Sequence, residues 1–288
     1  MPDTSVAPKV FDRDLVARHL RRRPAGHDDF VTQLVLADLE ERLGAVSRDF
    51  EQAIILSPDA SVLPIAGRSA SGAFRFERAA TVLPLEGVPL VDPELLDLPQ
   101  RGYDLIVSLF DLDVVDDVPG FLARARAHLR PDGLFMAAFV GGDSLTELRE
   151  AFLTADAQVS GGAFLRVAPF IPLQAAAGLL QRAGLALPVS DVETHVVRYQ
   201  SPLSLMRELK ALGASNPLAD RPHKLATMKL IGAAAAAYEA LAGDADGRVR
   251  ATLELVWMSG WAPHESQQKP LKPGSAKISL ADALGTKN

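Results

Sequence analysis

The chain has 288 residues, 48% of them hydrophobic, which is enough for one large core. Its net charge is −6 with both signs mixed along the sequence, and this argues against a nucleic-acid-binding surface. The absence of cysteine excludes disulfides, iron–sulfur clusters and thiolate zinc sites. No apolar stretch approaches the roughly 20 residues that span a bilayer, and the amino terminus lacks the pattern of a secretion signal. We therefore expect a soluble cytoplasmic protein.

The first hundred residues predict two helices followed by short strands. Residues 10–23 have helical spacing and end in a basic cluster around Arg23, which we interpret as a solvated helix end. A second helix is expected through residues 31–43. Three strand candidates follow, at 51–56, 74–77 and 88–91. Ser57-Pro58-Asp59 is expected to end the first of them.

Residues 103–152 have the clearest secondary-structure pattern of the chain. The apolar run 105–110 is typical of a strand buried on both faces, and a second run follows at 134–140. Pro119 and the two aspartates before it indicate the start of a helix between these strands. Ser144 and Glu147 have the spacing of a capping box for the next helix. A strand–helix–strand unit with short joints predicts a parallel sheet.

The second half adds a helix over 173–183, a strand over 192–199, two helices between 201 and 241, and a last strand over 247–258. We predict an α/β fold with a doubly wound, mostly parallel sheet, an antiparallel edge and a helical insertion. The expected organisation is N-terminal helices over 1–50, the core over 51–157, the remaining strands over 158–260 with the insertion at about 200–243, and a C-terminal tail over 261–288.

Ligands of such sheets bind beyond the carboxyl ends of the strands, where Asp111 and Asp113 follow the fourth strand. These carboxylates could hold a divalent metal or orient a basic substrate such as an arginine; the alternative is a solvated loop. His264 and Glu265, beyond the last strand, are candidates for a catalytic base. Two adjacent residues make no metal site, so no metal is predicted.

Several segments carry a family resemblance. Tyr103–Ser108, the turn Leu129–Gly133 and the strand after it resemble strands four and five of a class I S-adenosylmethionine-dependent methyltransferase. Further segments are similar to a subgroup with bacterial relatives of the mitochondrial complex I assembly factor that hydroxylates an arginine of a complex I subunit. These segments read FDR at residues 11–13, GGDSLTEL at 141–148, GASN at 213–216 and WAPHESQ at 261–267.

The resemblance implies S-adenosylmethionine as cofactor, bound at the following positions: Leu56, Ser57, Asp59, Ala60, Glu77, Asp92, Leu109 and Phe110. By this analogy Glu77 would accept the ribose hydroxyls and Asp92 the adenine amino group. The family's turn D-x-G-x-G-x-G, however, reads Leu56-Ser-Pro-Asp-Ala-Ser61 here and contains no glycine. Either the cofactor is held in altered form, or the site has been lost and both acids are solvated strand ends.

The candidate catalytic residues are Asp113, His264 and Glu265, and the candidate substrate contacts are Asp111, Asn216 and Trp261. Asn216 matches the subgroup's pattern, but a helix C-cap explains it equally well. Relatives tend to carry a His-Trp pair where this chain has Asp113-Val114. The implied function is a methyltransferase-like enzyme that methylates or hydroxylates a protein partner, such as a complex I subunit. The alternative is a non-catalytic scaffold that has lost cofactor binding.

Overall fold

We describe the fold from a computed structural model, which defines residues 9–223 and 225–268. The expectations for residues 1–8 and for the tail beyond residue 268 lie outside the described residues. The helices are α1 (Arg13–Arg21), α2 (Phe30–Gly44), α3 (Val118–His128), α4 (Thr146–Val159), α5 (Leu173–Arg182), α6 (Pro202–Ala211) and α7 (Met228–Ala242). The strands are β1 (Ala53–Asp59), β2 (Ala66–Arg68), β3 (Ala73–Leu83), β4 (Tyr103–Leu109), β5 (Leu129–Val140), β6 (Ala186–Tyr199) and β7 (Val249–Trp261).

The seven strands form one sheet in the order β2-β3-β1-β4-β5-β7-β6. The four strands β3, β1, β4 and β5 are parallel, whereas β2, β7 and β6 each run antiparallel to their neighbours. Every residue of β1 and β4 is buried, because helices cover both faces of the sheet centre. The predicted α/β fold with a doubly wound sheet and an antiparallel edge is confirmed.

Alternate residues of the central strands supply the two layers of the core. Ile54 and Ile106 face the layer that contains α3 and α5, and Ile55 and Val107 face the layer that contains α2. This alternation follows from the two-residue period of a strand, which sends successive side chains to opposite faces. The helical insertion, α6 and α7, packs outside these layers against α4, where Tyr238 is fully buried. Among the described helices, none is long and apolar enough to cross a membrane.

Four boundaries differ from the sequence-based expectation. β1 continues through Asp59, and β3 continues to Leu83 instead of ending at Glu77. The third predicted strand is reduced to a single bridge between Ala80 and Leu90. β6 begins at residue 186, six residues before the predicted start at 192, because it pairs with β7 over nearly its whole length. These strand boundaries depend on pairing between segments that are distant in the sequence. A local sequence pattern does not contain that information.

A fifth difference concerns the start of α4. The expected capping box is wrong, since α4 begins at Thr146 and its N-cap residue makes no side-chain cap. The Ser144 hydroxyl instead accepts a hydrogen bond from the Glu254 backbone N–H at 2.8 Å, and the Glu147 carboxylate accepts one from the Thr252 N–H at 3.1 Å. Both side chains therefore attach α4 to β7.

Candidate functional site

The carboxyl edge of the central strands is where the fold places most of the predicted site. Phe110 follows β4 with a φ of 66°, and the backbone then enters a short 3-10 helix over Asp111–Asp113. A positive φ at a bulky residue is uncommon and turns the chain sharply. The turn places the carboxylates of Asp111 and Asp113 next to the ends of β3 and β5, respectively.

Asp111 is fully buried at this edge. Its carboxylate accepts hydrogen bonds from the hydroxyls of Thr81 and Ser108, the latter at 2.6 Å. Burial raises the pKa of the Asp111 carboxyl to about 6, although both hydroxyls act to lower it. The expectation that Asp111 faces a substrate is wrong in this arrangement, because the side chain has no exposed surface.

Asp113 lies beside it and is only partly buried. Its two carboxylate oxygens lie 3.2 and 3.3 Å from the backbone nitrogen of Val140, which donates to them. Removal from water raises the pKa of the Asp113 carboxyl to about 8, and the charge of Asp111 adds to the rise. A carboxyl that stays protonated near neutral pH can donate a hydrogen bond or a proton, so the geometry is compatible with the predicted catalytic role of Asp113.

The end of β1 replaces the glycine-rich turn of the resemblance. Leu56, Ser57, Asp59 and Ala60 are all buried. One oxygen of the Asp59 carboxylate accepts a hydrogen bond from the backbone of Ser61 at 2.9 Å, and the other pairs with the guanidinium of Arg23. Asp59 was expected to face the cofactor, but its carboxylate is therefore paired with Arg23 of the same chain.

Glu77 does not end its strand. It lies within β3 opposite Ile54, near the amino-terminal end of β1, and its carboxylate accepts hydrogen bonds from Tyr103 at 2.8 Å and Gln100 at 3.0 Å. The expectation of a free carboxylate at the strand end is wrong for this residue. Longer pairing with β1 moved the strand end six residues further, to Leu83.

Asp92 does lie near the carboxyl edge, just after the bridge between Ala80 and Leu90. Its side chain is 48% exposed and is 3.5 Å from the guanidinium of Arg13. The same guanidinium donates to Glu94 at 2.7 Å. Arg13 and Arg23, at opposite ends of α1, thus both pair with acids of this edge.

These positions do not fit S-adenosylmethionine in the arrangement described. The turn after β1 has no glycine, and Asp59 is already paired with Arg23. Leu56 and Leu109 are 0% and 1% exposed, so they offer no surface to a ligand. Of the acids implied by the resemblance, only Asp92 retains an exposed carboxylate at the expected edge.

His264, Glu265 and Trp261 lie at the opposite edge of the sheet. β7 runs antiparallel to β5 and pairs Trp261 with Leu134, so the chain leaves β7 at the amino-terminal end of the parallel strands. β4 has seven residues, which separates the two edges by about 20 Å. The strand direction therefore places His264 and Glu265 away from Asp113, and their predicted catalytic roles stay predictions.

The amino-terminal edge has a cleft of about 210 Å³ beside Trp261 and His264. Four of its charged groups form pairs: Arg48 with Asp132 at 2.7 Å, and Arg130 with the buried Asp104. The His264 imidazole is hydrogen-bonded to Ser266 at 2.7 Å within its own turn. This turn is attached to the first half of β5, because the Gln267 amide donates to Asp132 at 2.9 Å.

Asn216 belongs to the loop between α6 and α7 and is not a helix C-cap. Its amide donates to the carbonyl oxygen of Leu165 at 2.8 Å, and its oxygen accepts from the backbone of Leu218 at 3.0 Å. The residue therefore ties this insertion loop to the segment before α5. Its predicted substrate contact stays a prediction.

Gly141 and Gly142 are explained by close packing. A Cβ on Gly141 would lie 2.6 Å from Val256, and one on Gly142 would lie 2.9 Å from the backbone of Pro172. Both distances are shorter than real Cβ contacts. The first part of the 141–148 motif is thus required for packing against β7 and the start of α5.

Arg13 and Arg23 are the residues that the sequence analysis missed. The basic cluster suggested a solvated helix end, but Arg23 has a side chain only 20% exposed and an acid partner 36 positions away. Nothing local distinguishes Arg23 from Arg21 or Arg22. The only available signal was the match of residues 11–13 to the subgroup, which includes Arg13.

The chain is similar to known proteins over most of its length. Residues 17–216 match the family model described as "Methyltransferase domain". Arginine-hydroxylase NDUFAF5, mitochondrial, of Rattus norvegicus is 30% identical over 298 aligned positions, covering 98% of this chain and 86% of the relative. The protein of that name from Danio rerio is 36% identical over 193 residues, covering 67% of this chain and 60% of the relative. The YcgJ protein structure from Bacillus subtilis has a TM-score of 0.45 at 12% identity, covering 81% of this chain and 99% of that one.

Two consequences follow from these matches. The aligned part spans less than two thirds of the Danio rerio relative's length, whereas it spans most of the Rattus norvegicus relative. The predicted cytoplasmic location is wrong, because the relatives of this name are designated mitochondrial. Composition and the lack of cysteine are shared by several compartments and do not separate them.

Proposed function

Since the chain belongs to the methyltransferase-domain family, we propose that it acts on an arginine of a protein partner during respiratory complex I assembly. The observation that carries the proposal is the 30% identity that extends over 98% of this chain to a relative named arginine-hydroxylase. An alignment of that extent includes α1, the carboxyl edge and the insertion. Methylation of the partner, the family's usual reaction, is the less favoured form of the proposal.

The charges of the carboxyl edge support arginine as the target. Asp59 and Glu94 each hold a guanidinium within this chain, from Arg23 and Arg13. Each guanidinium contacts a second acid through its other terminal nitrogen, Asp29 and Asp92 respectively, and a compact ammonium reproduces such a double contact poorly. Asp113, at the same edge, would be the proton donor or hydrogen-bond donor of the site.

A second candidate is a non-catalytic scaffold that retains the fold and its partner. The specific observation in its favour is that the end of β1 contains no glycine. Asp59, the residue there that was expected to face the cofactor, is paired with Arg23. In this form the chain would bind the partner protein without altering it.

Co-purification with complex I subunits tests both candidates. We expect the protein to capture one subunit, and mass spectrometry after incubation in aerated lysate, which supplies molecular oxygen and a two-electron reductant, to show one arginine of that subunit gaining an oxygen atom. A gain of one methyl group would indicate methylation, and capture without any mass change would indicate the scaffold. Failure to capture any subunit would contradict the proposal as a whole. Asp113→Asn is the matched variant, since it should retain capture and lower the modification.

Titration with S-adenosylmethionine is expected to leave the melting temperature unchanged. A ligand present at a hundredfold excess over its Kd would add about 2.7 kcal/mol to the free energy of unfolding. That gain raises the Tm of a domain of this size by several degrees, so differential scanning fluorimetry would detect it. A saturable rise that disappears in Asp92→Asn would show instead that the cofactor site is retained.

A further inference from the structure

We infer that Asp59 forms a guanidinium-binding subsite at the carboxyl edge, which Arg23 of the same chain fills in place of a partner's arginine. The inference rests on the proposed function and deepens it, because it assigns the residue that receives the substrate side chain. It also gives the amino-terminal segment, residues 10–23, a role as an internal competitor. Neither role was expected, since Arg23 was interpreted as solvated.

The buried Asp59 carboxylate has one oxygen available to bind a guanidinium. The side chain is 8% exposed, and one of its oxygens is fixed by the backbone N–H of Ser61 at 2.9 Å. The other oxygen is left for the cation, and Arg23 pairs with it. A second acid, Asp29, lies 3.6 Å from the other terminal nitrogen of Arg23. A buried carboxylate with one free oxygen requires a cationic partner, because an unpaired buried charge is strongly unfavourable.

The position of Asp59 suits a substrate subsite. It is the last residue of β1, a central parallel strand, and such strands direct their carboxyl ends to the ligand-binding edge. The end of β4 lies beside it, because Leu56 and Ser108 pair across the two strands. The 3-10 helix that follows β4 carries Asp113. A guanidinium on Asp59 would therefore lie at the same edge as the carboxyl with the raised pKa.

The Arg23 side chain can leave this edge while the rest of the amino-terminal segment stays in place. α1 packs against β3 with two buried residues, and the start of the segment is bound to the Asp116 carboxylate and to the insertion loop. Asp12 donates to the carbonyl of Pro217 at 2.8 Å, and Ala219 donates to that of Val10 at 2.9 Å. The segment thus joins the insertion loop to the carboxyl edge through Arg13 and Arg23. Exchange of Arg23 for an incoming arginine keeps Asp59 paired, so no buried charge is left alone.

The test is a titration of Arg23→Ala with Nα-acetyl-L-arginine amide, followed by calorimetry and by the melting temperature. We expect saturable binding and a rise in melting temperature at micromolar concentrations of the amide, at which the unmodified protein shows neither. Nα-acetyl-L-lysine amide should bind at least about tenfold more weakly, because a single ammonium cannot reach Asp59 and Asp29 together as the two terminal nitrogens of a guanidinium do. The double variant Arg23→Ala/Asp59→Asn should lose the response. If Arg23→Ala binds no arginine amide, or binds it equally well without Asp59, the inference is wrong.

Two further measurements complete the experiment. If Arg23→Ala does not fold, Arg23→Lys replaces it in the same titration, since it keeps the charge but loses the planar fork. In the unmodified protein, millimolar arginine amide should accelerate hydrogen exchange at the turn after α1, where the Arg23 N–H donates to Leu20, whereas lysine amide should not. Unchanged exchange would show that Arg23 is not displaced and would overturn its role as a competitor. None of these measurements involves a partner protein or a reaction, so they can fail or succeed independently of the proposed function.

Discussion

Asp156→Ala is expected to lower the free energy of unfolding by about 3–5 kcal/mol. Asp156 in α4 is fully buried and receives two hydrogen bonds from Arg166, at 2.6 and 2.7 Å. Removal of the carboxylate leaves a guanidinium that is only 14% exposed without its partner. Urea unfolding followed by circular dichroism would measure the loss as a lower midpoint at constant slope.

The matched control is Asp191→Ala. Asp191 pairs with Arg42 at 2.7 Å, but its side chain is 49% exposed, so the loss should stay below about 1 kcal/mol. Equal losses in the two variants would show that burial is not what makes the Asp156 pair important. The Asp156 variant should also loosen the segment that Asn216 holds through Leu165, because Arg166 is the next residue. Faster proteolysis near residue 165 would reveal that effect.

Asp113→Asn is expected to stabilise the protein at alkaline pH and to change it little at acid pH. The folded-state pKa of this carboxyl is about 8, above the value of about 3.9 for an unfolded chain. The native state therefore holds a proton that the unfolded state releases between these pH values, so the stability of the unmodified protein falls as pH rises through that window. Asparagine cannot ionise and keeps an oxygen to accept from Val140.

The difference in free energy of unfolding between Asp113→Asn and the unmodified protein should grow by about 3–4 kcal/mol from about pH 5 to about pH 9. Chemical denaturation at each pH gives this difference directly. Asp143→Asn, at an exposed aspartate of the same edge, is the control and should show no such growth. A difference that does not depend on pH would mean that Asp113 is ionised in the folded protein, and the proton-donor role would be wrong.

Several predictions about local structure were correct because neighbouring residues determine them. Asp117 caps α3 through the N–H of Gly120 at 2.9 Å, and Ser201 with Pro202 begins α6 with a capping box. Trp257, expected in the core, is 2% exposed. Asp116, also expected to cap α3, accepts from the backbone of Val10 and Phe11 instead, since Asp117 already serves that helix.

The sequence by itself determined the strand–helix–strand core, the doubly wound sheet and the acidic residues after β4, because burial on both faces and helix caps leave local patterns. Only the tertiary structure decided which acids are available to a ligand. The direction of β7 separated His264 from Asp113, and the extended pairing of β3 removed Glu77 from the strand end. The contact between Arg23 and Asp59 joins residues 36 positions apart. Strand direction and pairing between distant charges depend on how the whole chain packs, so a local sequence pattern does not predict them.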